Sequence, residues 1–136
     1  MKLPLFITQL IDHIYISDRR SFVFYDQFDL VVQTDNIFTS ENIVSSLLSN
    51  TTHITSNIGT KDNSEKVVDI MKEYTLHSKR ILLYSDSIKT ACQLFIAYVR
   101  KTYQFSTTDL FHMVNSSRFP HFLSTQMNEI LRLYTA

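Results

Sequence analysis

The chain has 136 residues, 44% of them hydrophobic and 19% charged, with 13 Lys plus Arg against 13 Asp plus Glu. That length predicts a single domain, residues 1–136, with room for a real core. The balanced charge leaves no global field to draw in nucleic acid or an anionic membrane, so neither is expected as a partner.

In chain order, the opening MKLPLFITQLIDH carries one Lys, a short apolar stretch and no small-residue cleavage site. It reads as the first segment of the folded domain, not as a leader. Alternation through His13, Ile14, Tyr15 and Ile16 predicts a strand ending at residues 17–18. SFVFYDQF comes next, and its apolar side chains are too many for one buried face. Phe22, Phe24, Tyr25 and Phe28 are therefore a candidate surface for a protein partner or a second copy of the chain. FDLVVQT, residues 28–34, predicts a second and more continuously apolar strand. SENIVSSLLS, residues 40–49, starts on Ser and spaces Ile43, Val44, Leu47 and Leu48 as a helix does. THIT, residues 52–55, predicts a short strand, and SNIGTKDNS a loop of turn-forming residues.

The second half is more strongly patterned. Residues 64–78 predict an amphipathic helix with Val67, Val68, Met71 and either Tyr74 or Thr75 on its inner stripe. ILLYS, residues 81–85, predicts a buried strand, and residues 88 to about 103 a helix apolar nearly all round in its middle, hence buried. The only cysteine, Cys92, falls in that apolar run, where a small buried thiol is expected. Ser106 through Asp109 carry a capping signature before LFHMV. Pro120 separates that helix from a last one over residues 124–134. The single glycine, Gly59, excludes the Gly-rich nucleotide loops. The five histidines lack ligand spacing, so no metal and no cofactor are expected.

Strands alternating with helices imply an α/β domain with a central, mostly parallel sheet flanked by helices. Ligands of such sheets gather at the carboxyl ends of the strands. YSDSIKT, residues 84–90, is such an end, a strand feeding a helix N-terminus that offers free N–H groups and partial positive charge. Ser85, Ser87, Lys89 and Thr90 are the candidate anion-binding residues there, with helix capping as the alternative use of the serines.

The order of these segments resembles the dual-specificity protein phosphatases, most closely their small single-domain members, including the poxvirus type. LIDHIYISDRRS resembles the opening strand, usually Ile-x-x-x-Leu-Tyr-Ile-Gly, and ILLYS the strand usually reading Val-Leu-Val-His-Cys. FIAYVRKTYQFSTTDLFHMVNSSR and HFLSTQMNEILRLY resemble the closing helices. The family's chemistry uses a thiolate nucleophile, a Cys-x5-Arg loop whose Arg grips the phosphoryl oxygens by a bidentate fork, and an Asp that protonates the leaving oxygen. Carried onto this chain, the nucleophile falls on Ser85, the Arg on Thr90 and the acid on Asn57, with the loop one residue short. A hydroxyl without a base is a poor nucleophile, and an amide has no proton to give. The resemblance with these replacements implies a catalytically inactive pseudophosphatase, not an enzyme, acting as a protein-binding or scaffold module; the lack of a leader pattern and of a membrane-spanning apolar run gives the cytoplasm as its expected location. If the chain is viral, a host or viral protein is the expected partner, and pairing through MKLPLFITQLI is the candidate route to a homodimer. Two alternatives stay open: a phosphopeptide or phosphate reader built on the remnant loop, and an enzyme of altered chemistry using Ser85 or Asp62.

Overall fold

The computed structural model describes residues 7–17, 27–34, 44–48, 51–55, 61–85, 88–116 and 120–135. Its strands are β1 (Thr8–Ile11), β2 (Ile14–Ser17), β3 (Leu30–Gln33), β4 (Val44–Leu48), β5 (Thr51–Thr55) and β6 (Ile81–Tyr84). Its helices are α1 (Lys61–Leu76), α2 (Ile88–Tyr103), α3 (Thr107–Val114) and α4 (His121–Thr135). The strands form one sheet in the order β1-β2-β6-β3-β5-β4. The four inner strands run parallel, and the two edge strands, β1 and β4, are antiparallel to their neighbours. The α/β class with a mostly parallel centre is as expected from the alternation of segments.

β6 is the axis of the sheet, flanked by β2 and β3, and all four of its residues are buried. Strands covered on both faces read as continuous apolar runs, which is why ILLY does not alternate. Ile81 and Leu83 face a large core built with Ile14, Ile16, Leu30, Val32 and Ile54 and with the buried stripes of α1, α2, α3 and α4. Leu82 and Tyr84 face the other way, into a smaller cluster with Ile7, Phe28 and Val31, against which Tyr15 packs. All four described helices thus lie on one face of the sheet. α2 runs through the middle of that layer, with Ala91, Cys92, Leu94, Phe95, Ile96, Tyr98 and Val99 all buried.

Elements join through specific polar contacts as well as packing. The Tyr98 hydroxyl of α2 pairs with Thr75 Oγ1 of α1 at 3.0 Å, and the Tyr74 hydroxyl donates to Thr52 Oγ1 of β5 at 2.9 Å. Tyr74 and Thr75 therefore both belong to the inner stripe of α1. Ser106 caps α3 in a reciprocal box, accepting from the Asp109 N–H while Asp109 accepts from the Ser106 N–H.

One expectation about the elements is corrected. The segment expected to be a helix over residues 40–49 contains β4, paired antiparallel with β5 from Val44↔Thr55 to Leu48↔Thr51. Val44, Leu47 and Leu48 are spaced as on a helix, but pairing with β5 overrides the local period. The opening segment also contains a strand, β1, that periodicity did not reveal. Ile11 pairs with Ile14 across Asp12 and His13, and His13 takes a left-handed backbone, φ 71°, at that turn. No helix among the described residues is long and apolar enough to cross a membrane.

Candidate functional site

β6 and β3 end side by side, and the residue after each of them, Ser85 and Thr34, forms the base of the candidate site. Thr34 N–H donates to the Tyr84 carbonyl at 3.2 Å, and Ser85 Oγ donates to the Thr34 carbonyl at 3.2 Å. Ser85 is 1% exposed, so its hydroxyl is turned into the sheet end and bonded there. Beside it, Thr34 is fully buried, and its Oγ1 has no hydrogen-bond partner among the described residues.

α2 begins at Ile88, immediately after residues 86–87. Of the candidate anion-binding residues, Thr90 is buried in the first turn, Lys89 is exposed on the same turn, and Ser87 lies outside the described residues. Asn57 also lies outside them. Asp62 sits in the first turn of α1. Cys92 stands seven residues beyond Ser85 in α2, fully buried, and burial pushes its thiol up from 9.0 to about 12. A thiol held there stays protonated at neutral pH and is no nucleophile.

His53 of β5 is half-buried, and burial lowers its pKa from the ordinary value. Its ring lies 6.2 Å from that of Tyr84, on the sheet face away from the helices. No three His, Cys, Asp or Glu side chains converge as a metal site among the described residues.

The aromatic surface expected in residues 21–28 divides. Phe22, Phe24 and Tyr25 lie outside the described residues. Phe28 is corrected: it is 3% exposed and packs in the smaller core, edge-on to Tyr15 at 5.3 Å, so it is a structural residue and not a surface for a partner. The residue that holds it is Arg80, which in the sequence is only a basic charge ahead of a strand. The Arg80 guanidinium lies over the Tyr15 ring at 4.8 Å and the Phe28 ring at 5.2 Å, and Nη1 donates to the Gln27 carbonyl at 3.2 Å. Arg80 N–H also donates to Asp29 Oδ2 at 2.8 Å. Thr34 is likewise only the last residue of a strand in the sequence, since nothing in FDLVVQT signals that its hydroxyl ends up beside Ser85.

No protein-family model matches the chain, and no curated protein matches it. Solved structures do. Human DUSP28 superposes with a TM-score of 0.65 at 14% identity, covering 98% of each chain. A human tyrosine phosphatase-like serine/threonine/tyrosine-interacting protein gives 0.63 at 10% identity, covering 96% of this chain and 98% of its own. OH1 from the Orf virus, described as a tyrosine phosphatase, gives 0.50 at 16% identity, covering 96% of this chain and 78% of its own. At these identities the likeness is one of fold, and it spans nearly the whole chain: this protein has the dual-specificity phosphatase fold.

Proposed function

We propose that the chain is a phosphatase-fold protein without phosphatase chemistry, serving as a protein-binding or scaffold module. One observation carries this reading. Where the fold presents a nucleophile, after the central strand, stands Ser85 with its hydroxyl bonded to the Thr34 carbonyl, while the chain's one thiol, Cys92, is sealed in α2 with its pKa pushed to about 12. By the resemblance the loop Arg falls on Thr90, which is buried and offers no charge to a phosphoryl group. One structural neighbour is itself named as phosphatase-like and as an interacting protein, which suits a binding role. A cytoplasmic location, with a host or viral protein as partner if the chain is viral, accompanies this proposal, as does pairing of two copies.

The test is hydrolysis of p-nitrophenyl phosphate by the purified chain and by Ser85→Ala. The expected result is no turnover above the blank in either. Turnover in the wild type that disappears in Ser85→Ala would overturn the proposal and favour an enzyme of altered chemistry.

A second reading has its own support. The Thr34 Oγ1, which has no partner among the described residues, the N-terminus of α2 and the exposed Lys89 all border the junction after β6. Together they suit a weak oxyanion site that reads phosphate without cleaving it. Calorimetric titration with tungstate tests this: saturable one-to-one binding weakened by Lys89→Ala supports it, and no heat of binding removes it.

A further inference from the structure

The opposite end of the sheet holds a concavity that the phosphatase-like site does not use. α2 is 16 residues long, so at 1.5 Å per residue its C-terminus lies roughly 24 Å from the Ser85 loop. There a cavity of about 650 Å³ opens between the β1–β2 turn, the end of α2 and α3, lined by Ile11, Asp12, Val99, Tyr103, Phe105 and Met113, with Ser116 at its side. That volume is within the range of small-ligand and side-chain pockets. Only three large apolar side chains are exposed among the described residues, and two of them, Tyr103 at 49% and Phe105 at 36%, are here. Their rings lie 5.6 Å apart and tilted by 32°, held out from the helix by Gln104, whose left-handed backbone (φ 55°) turns the chain between them. Tyr103 is braced edge-on against Tyr98 at 6.3 Å.

The charge of the cavity is one-sided. Among the described residues that line it, Asp12 alone carries charge at neutral pH. Asp12 is exposed at the tip of the β1–β2 turn, where no ion pair among the described residues neutralises it. The nearest lysine in sequence to the aromatic pair, Lys101, is turned toward α1 and paired with Asp69 at 2.8 Å. Two aromatic faces, a thioether and an unpaired carboxylate around one hollow form an environment suited to a cation on an apolar stem. A second concavity of about 240 Å³, lined by Gln9, Leu10, Ile11 and Asp12, continues from the first along β1. β1 is an edge strand among the described residues, and an edge strand is the kind of element on which an extended segment pairs.

We propose that this cavity binds an arginine or lysine side chain of a partner protein, presented on an extended segment laid along β1. The aromatic pair takes the stem and the face of the cation, and Asp12 takes its charge. This deepens the reading of the chain as a binding module by naming the chemistry of what it binds, at a site separate from the Ser85 loop. Hydrolysis and tungstate binding report on the other end of α2, so either reading can fail while the other stands.

The test is an NMR titration of the full chain with N-acetyl-arginine amide, against N-acetyl-citrulline amide as the neutral isostere. The expected result is saturable shifts at Tyr103, Phe105 and Met113 with the arginine probe and none with citrulline. Asp12→Asn, on an exposed turn, should weaken binding by about fivefold, and Phe105→Leu, which keeps bulk but removes the ring, should weaken it by a similar factor. The absence of saturable shifts overturns the proposal. So do equal shifts with citrulline, or full affinity retained in both variants.

Discussion

Cys92 and Ser85 make opposite use of burial. Cys92 is a small apolar filler in α2, and its environment penalises the thiolate. Its pKa in the folded chain, about 12, lies above the free value of 9.0, so the native state keeps its proton longer than the unfolded chain does. That contribution is intact below pH 9 and is lost as pH rises toward about 12. Urea denaturation should therefore show wild type losing roughly 2 kcal/mol more than Cys92→Ala between pH 8 and about pH 10.5. An equal loss in both chains would mean that the thiol is not sealed. Asp109 works in the other sense. The Ser106 side chain and backbone hold its carboxyl below the usual carboxylate range, so its contribution is present above the free value of 3.8 and is lost as pH falls through the lower folded value. Ser106→Ala should lower the melting temperature at neutral pH, with the gap to wild type closing in acid, as thermal scans across pH would record. The capping box was legible in Ser-Thr-Thr-Asp because its geometry is local. The partners of Ser85 and Thr34 were not, since each is 51 residues from the other.

At the level of elements, α2 and the Arg80 clamp carry the assembly. Phe95 is fully buried at the centre of the main core, between the sheet and the other helices. Phe95→Ala should cost about 3–5 kcal/mol in chemical denaturation, the transfer of the ring plus the cavity it leaves. Tyr98→Phe keeps the packing but removes the hydroxyl that meets Thr75 in α1, and should cost about 1 kcal/mol. Arg80 joins β6 to the chain entering β3 by stacking on two rings while bonding the Gln27 carbonyl. A lysine keeps the charge but not the planar fork, so Arg80→Lys should destabilise by about 1 kcal/mol, while a value near zero would make it a solvated loop charge after all. α2 was read with its observed limits because its apolar run is long and unbroken. β4 was not, because five residues carry too little pattern to separate a helical spacing from a strand whose partner is the next hairpin arm.

At the scale of the whole molecule, one large core joins four helices to one face of the sheet, and a smaller cluster seals the other. Far-UV circular dichroism and tyrosine absorbance should therefore follow a single coincident thermal transition, and two separated transitions would contradict the expectation of one domain over residues 1–136. The amino-acid sequence by itself determined the α/β class, the buried central strand, the long apolar helix and the absence of a cysteine from the loop after that strand, because each is written in local pattern or residue identity. Only the tertiary structure decided the edge strands, the burial of Phe28 under Arg80, the burial of Thr34 beside Ser85 and the meeting of Asp12 with Tyr103 and Phe105. Those features join residues distant in the chain, and their chemistry exists only once the sheet order and the helix layer bring them within reach of one another.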